Sequence, residues 1–304
     1  MRSDPLFRLC QNRPRMRHAR LKSVLQAACF LCLAGGFAAP AQTAPADYEE
    51  IVSAKLAEAQ GGEVLRLSAG TQEFLALYKT ASSTDTGRAA LILHGMSGHA
   101  DWPDVVAPLR RGLPAQGWAT LSIQLPVLAP GAPWADYGAT LPRVPARIDS
   151  AMTCLSRLGY RELAIIGYGF GATAAARYLA ANGKGLSAFV GISMHAPPFL
   201  VPRPDLLESL RHVPIPMLDI YGGRDHADIL READDRRLAG MQERARSYEQ
   251  SAIEGADHDY AGYEAVLISR IVGWLDRSAK PVDPGALPVR AGNEGASACR
   301  TGTN

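Results

Sequence analysis

The run IIGYGFGATAAARYLA, Ile165 to Ala180, decides how this chain folds. Its first residues are apolar on both faces, as a strand buried in a parallel sheet must be. Gly167-Tyr168-Gly169-Phe170-Gly171 follows, a turn too glycine-rich to continue either a strand or a helix. From Phe170 the alanine-rich stretch has the propensity of a helix. A strand, a tight turn and a helix in immediate succession predict a crossover unit of a parallel sheet. The turn also satisfies G-x-G-x-x-G/A, with Gly167, Gly169 and Ala172. Its context argues against a dinucleotide site. The next strand, LSAFVGISM, ends without an Asp or Glu to hold a ribose, and the turn follows a late strand rather than opening the first βαβ unit.

The same alternation extends on both sides. Strands are expected at 63–67, 73–79, 89–93, 118–124, 162–166, 186–192, 215–221 and 247–253, and the first two form a hairpin. Helices are expected at about 101–116, 143–158, 170–182, 204–211, 227–245 and 262–278, with a short one in ADYEEIVSAKLAEAQGG ahead of the first strand. This pattern predicts an α/β fold with a mostly parallel, eight-stranded twisted sheet and helices on both faces. Two loops, PVLAPGAPWADYGATLP and SMHAPPFLVPRP, leave the carboxyl ends of strands, where open sheets bind ligands. Neither is long enough for a large lid domain. Trp134 and Tyr137 in the first of them fit a pocket wall and plain surface packing about equally.

Four segments carry the candidate chemistry: LILHGMSGH (Leu91–His99), the turn at 167–171, MLDIYGGRD (Met217–Asp225) and IEGADHDY (Ile253–Tyr260). An acid and a histidine on loops after the late strands meet above the sheet, where the carboxylate orients the imidazole. Backbone N–H groups after His94-Gly95 and at the glycine turn converge on one oxyanion. His94 itself reads as structural, bonding backbone. His94, His99 and Asp101 lack metal-site spacing, and His195, His226 and Asp228 read as solvated loop residues near the same end. Asp219, inside an apolar strand, reads as structural.

On these four segments the sequence resembles the α/β-hydrolase superfamily over roughly residues 63–278. HGMSGHADWPD, VPIPMLDIYGGRD and IEGADHDYAGYE are similar to an uncharacterised exported branch of it, a domain of unknown function. The resemblance implies an acid at Asp225, a histidine at His258 and oxyanion donors at Met96 and Phe170. It also places Gly169 where the superfamily's G-x-S-x-G elbow carries serine. A serine mechanism is therefore not expected. The reading this favours is a pseudo-hydrolase or ligand-binding envelope protein. The alternative is a weak or non-serine ester or acyl hydrolase in which His258 and Asp225 activate water, with Ser97 and Ser193 as minor substitute nucleophiles. A small-molecule ligand or ester-type substrate is expected in either case, with no cofactor and no metal; the oligomeric state is left open.

The N-terminus has a different character. Residues 1–23 hold seven basic residues and one acid, and the apolar run Val24–Ala39 precedes Ala39-Pro40-Ala41. Basic flank, short apolar run and small-residue site are the pattern of an export signal over residues 1–41, with translation starting at Met1 or Met16. The run is too short for a stable membrane span. Without it, residues 42–304 carry 25 basic and 29 acidic residues, so the formal charge changes from +2 to −4. No basic cluster remains, which excludes a nucleic-acid partner. The expected order is a signal (1–41), a helix and linker (42–62), the main domain (63–278) and a disordered tail (279–304) of an exported, periplasmic protein. Of five cysteines only Cys154 and Cys299 lie beyond the signal, and both are expected as free thiols.

Overall fold

A computed structural model of the protein describes residues 47–60, 64–83, 87–183, 185–242, 247–281 and 299–301. The expected export signal and most of the C-terminal tail lie outside these residues. Among the described residues, no helix is long and apolar enough to cross a membrane.

All eight expected strands form, within about two residues of their expected ends. They are β1 (Val64–Ala69), β2 (Gln72–Lys79), β3 (Arg88–Leu93), β4 (Ala119–Ile123), β5 (Glu162–Tyr168), β6 (Ala188–Ile192), β7 (Met217–Gly222) and β8 (Tyr248–Ile253). A ninth, β9 (Arg300–Thr301), was not expected. The sheet order is β8-β7-β6-β5-β3-β4-β2-β1-β9. β3 to β8 run parallel, whereas β1 pairs antiparallel with β2 and β9, and β2 antiparallel with β4. The strand order reverses direction at β3, so β5 leads into the crevice where such sheets bind ligands.

The helices are α1 (Tyr48–Gln60), α2 (Val106–Gly112), α3 (Val144–Arg157), α4 (Phe170–Asn182), α5 (Leu206–His212), α6 (Ala227–Arg231), α7 (Ala233–Gly240) and α8 (Glu264–Ser278). A 3₁₀ segment, Trp134–Arg143, fills part of the long loop after β4. The helix expected at 227–245 is two, because the chain leaves helical geometry at Glu232. One apolar cluster joins α3, α4 and α5 to one sheet face; a second joins α2 and α8 to the other. The fold is that of an α/β hydrolase, with no lid domain among the described residues.

Two expectations about the tail are corrected. Cys154 and Cys299 form a disulfide, and Arg300–Thr301 pairs with β1. Cys154 is fully buried on α3. The pairing of β9 with β1 places Cys299 against the core beside it.

Candidate functional site

The elbow at Gly169 is formed as the sequence implies. Its φ of 53° and ψ of −116° fall where L side chains are strained and glycine is not. The Gly169 N–H donates to the Ile192 carbonyl (2.8 Å), tying the turn to the end of β6. The flanking glycines are dictated by packing. A Cβ on Gly167 would lie 2.5 Å from the Ala172 Cα, and one on Gly171 would collide with the His94 carbonyl. At Gly169 there is room instead: a Cβ would meet only His195 Cε1 at 3.9 Å and Gly95 Cα at 4.0 Å. Phe170 begins α4, so its N–H is one of the first-turn donors that a helix leaves without an internal acceptor.

The expected acid and histidine meet. His258 Nδ1 lies 2.7 Å from Asp225 Oδ1. The Asp225 side chain is fully shielded, whereas His258 keeps partial access to the pocket. The carboxylate accepts further hydrogen bonds from Ser193 Oγ (2.6 Å), the His226 N–H (2.8 Å) and the Gly222 N–H (3.2 Å). Burial alone would raise the Asp225 pKa. The bonds from His258 and Ser193 outweigh it and bring the group down to about 2. Asp225 is thus a fixed anion that orients the imidazole and stabilises it when charged. Tyr168 supports the histidine from below: its ring lies 5.2 Å from that of His258, and its hydroxyl donates to the His258 carbonyl (3.3 Å).

His94 is fully buried, and both of its ring nitrogens are bonded within the protein. The Leu125 N–H donates to His94 Nε2 (2.9 Å), so Nε2 carries the lone pair and Nδ1–H donates to the Gly95 carbonyl (2.7 Å). A planar trans peptide then turns the N–H of Met96 away from His94, and Met96 lines the pocket. Burial pushes the His94 pKa down to about 3. The unfolded chain therefore binds a proton at this residue that the folded one refuses between pH 6.5 and about 3. Unfolding free energy is expected to fall as pH drops below 6.5, by about 1.4 kcal/mol per pH unit from this histidine once it is well below that value. Urea unfolding at pH 7, 5.5 and 4.5 checks the slope; equal stability at all three would contradict it.

The pocket has a volume of about 460 Å³. Gly95, Met96, Gly169 and Phe170 line it, together with the histidines 195, 226 and 258 and the aromatic side chains of Trp102, Trp134 and Phe199. Trp134 and Phe199 are half exposed, at the rim. Tyr137 is buried and ties the walls together, its hydroxyl accepting from the Ser97 and Leu128 N–H groups. Asp228 and Asp259 are the acids on the lining, which among the described residues includes no Lys or Arg.

Several minor sequence readings change. His195 is not solvated: it is buried, and its Nδ1 donates to the Ser193 carbonyl (3.0 Å). His226 stacks on His258, with ring centroids 4.1 Å apart. Ser193 is fully buried, and its hydroxyl is committed to Asp225 and Tyr260, so it supports the acid and does not attack. Ser97 is exposed and bonded to Tyr137. Asp101 is spent on Arg110 and Arg111. Loop positions 193, 195 and 226 carry no local pattern; the one available signal was that each follows the carboxyl end of a parallel strand.

Asp225, His226 and His258 offer atoms within 4.8 Å of one another, a spacing that a metal ion requires. The stacked histidine rings lie only 14° from parallel, so their in-plane lone pairs run side by side and do not converge on one ion. Asp225 is already engaged by His258. The set does not fit a metal centre in this arrangement.

The fold recurs widely among solved structures, at identities that speak for architecture alone. Dienelactone hydrolase from Anabaena variabilis ATCC 29413 matches with a TM-score of 0.59 at 20% identity, over 71% of this chain and 97% of that one. Est1E from Butyrivibrio proteoclasticus matches at 0.57 and 13%, over 71% and 98%. XC6422 from Xanthomonas campestris, described as an α/β serine hydrolase without lid, matches at 0.54 and 15%, over 72% and 96%. No curated protein matches the sequence. The family model described as "Protein of unknown function (DUF3530)" matches residues 32–145 and 130–277. The chain belongs to that family and carries its sequence on an α/β-hydrolase fold.

Proposed function

We propose that this protein hydrolyses small neutral esters or related acyl compounds with water in place of a serine. The observation that carries the reading is the Asp225–His258 pair: 2.7 Å apart, with a shielded carboxylate held by three further donors. A pocket without chemistry has no need of so fully bonded an acid. His258 is the proton-transfer group, and the Met96 and Phe170 N–H groups receive the oxyanion. The space beside Gly169 admits the attacking water. Loss of one triad member leaves on the order of 10³–10⁴-fold catalysis over water in enzymes built this way, so turnover is expected to be slow.

The pocket lining supports the substrate class. Aromatic walls favour an apolar or aryl acyl group, and acids without a lysine or arginine disfavour an anionic substrate. The test compares wild type with His258→Ala on neutral and carboxylate-bearing short-chain esters. Wild type is expected to exceed the variant by about 10²-fold or more, on neutral esters first. Equal rates would remove the hydrolase reading.

A second reading is that of a pseudo-hydrolase which binds a ligand without converting it, favoured by Gly169. Wild type resists fluorophosphonate labelling in both readings; only turnover separates them. We also infer export to the periplasm. The basic and apolar N-terminal sequence supports it, and so does the Cys154–Cys299 disulfide, since disulfides persist in oxidising compartments. Fractionation of cells producing the full chain tests this; a purely cytoplasmic product would refute it.

A further inference from the structure

We propose that His195 is a second catalytic residue, the general base that deprotonates the attacking water in the space left by the missing serine side chain. The inference rests on the hydrolytic reading above and assigns the proton transfers within it. The side-chain atom nearest a Cβ at position 169 is His195 Cε1, at 3.9 Å, and not an atom of His258. A water in the serine's place therefore sits against His195. The ring is fixed for the task. Nδ1–H donates to the Ser193 carbonyl, which leaves Nε2 with the lone pair. Among the described residues no protein group bonds to Nε2, and His195 lines the pocket.

The two histidines differ as a base and an acid should. His258 is held by a carboxylate, which fixes Nδ1 as the donor to Asp225 and leaves Nε2 to hand a proton to the leaving group. His195 is held by a neutral carbonyl and buried, and burial places its pKa below the ordinary value, so it is neutral at neutral pH. The charged and titratable groups facing it are Asp228, His226 and His258. The rings of His195 and His258 are 5.9 Å apart and nearly perpendicular, in edge-to-face contact, and both line the pocket, so one substrate bound there can meet both.

The step balances as follows. An O–H bond of water breaks, its proton goes to His195 Nε2, and the oxygen bonds to the acyl carbon. The carbonyl pair moves to the oxyanion at the Met96 and Phe170 N–H groups. On collapse the C–O bond to the leaving group breaks, and that oxygen takes the Nε2 proton of His258, which starts the cycle as the imidazolium with its Nδ1–H on Asp225. A proton then passes from His195 back to His258 through the next water.

The test measures kcat/KM of wild type, His195→Gln and His258→Ala on p-nitrophenyl acetate and phenyl acetate. It repeats His195→Gln in a Gly169→Ser background, with thermal melts to verify folding. His195→Gln is expected to lose about 10²-fold on both esters, because water activation is common to both. His258→Ala is expected to lose more on phenyl acetate, whose poorer leaving group needs the acid. With serine at 169 the attacking hydroxyl relies on His258, and the His195→Gln loss is expected to shrink below about 10-fold. If His195→Gln keeps the wild-type rate while His258→Ala does not, this assignment is wrong and the hydrolytic reading stands. An equal His195→Gln loss in both backgrounds would make the residue merely structural and also overturn the assignment. If wild type shows no turnover above His258→Ala, the hydrolytic reading itself fails, and this assignment falls with it.

Discussion

Gly169→Ser is expected to convert this protein into a fluorophosphonate-reactive serine hydrolase, with ester turnover raised by about 10²-fold or more over wild type. The surroundings of a nucleophile are already assembled. A Cβ at 169 has no neighbour closer than 3.9 Å, so the side chain enters without a clash. His258 is oriented by Asp225, and Met96 and Phe170 line the same pocket. The cost is conformational. The backbone at 169 keeps a φ of 53°, which a serine adopts only under strain of about 1–3 kcal/mol. Glycine at this site is thus the more stable residue, and the variant is expected to melt earlier while labelling stoichiometrically. His258→Ala in the same background is expected to abolish the gained turnover. A folded Gly169→Ser protein that neither labels nor turns over would show that the pair and the donors do not converge on position 169.

How much of this was legible in the sequence depends on how local the cause is. The strands AALIL and LAIIG announce parallel, doubly covered neighbours because every residue is apolar, and β3 and β5 lie at the sheet centre. Asp225 and His258 stand just beyond β7 and β8, so strand order alone brings them together. Asp219 was recognisable as structural because a charge inside an apolar strand needs a buried partner. His195, His226 and Ser193 gave no such signal. The roles of Ser193 and His195 come from the turn after β6, where Ser193 takes a φ of 50° and aims its hydroxyl at Asp225, and that of His226 from the turn after β7, where its ring stacks on His258. That geometry depends on contacts from β7 and from the loop after β8, which no local pattern records. The disulfide was hidden for the same reason: 145 residues separate its cysteines, and the return of the tail along β1 decides the pairing.

Removing the buried acid of β7 is expected to cost more stability than any other single change considered. Asp219 and Arg236 are both fully buried, and Arg236 Nε donates to Asp219 Oδ2 at 2.9 Å. The same oxygen accepts from Tyr248 Oη (3.1 Å) and Gln250 Nε2 (2.9 Å), while Arg236 Nη1 donates to the Ile229 carbonyl (2.8 Å). Arg236 Nη2 has no protein partner among the described residues, so the carboxylate is the charge that compensates the guanidinium. Asp219→Ala leaves that cation buried and uncompensated, at a cost of about 3–5 kcal/mol. Replacing both partners by apolar residues, as in Asp219→Leu with Arg236→Met, removes the charge together with its counter-charge and is expected to recover most of the loss. The consequence reaches the site, because β7 runs directly into the Gly222–Asp225 turn and α7 packs beside β8. Urea unfolding of the single and double variants is the measurement. A single variant within about 1 kcal/mol of wild type would mean that water reaches Arg236, and that the pair is not what holds α7 to β7.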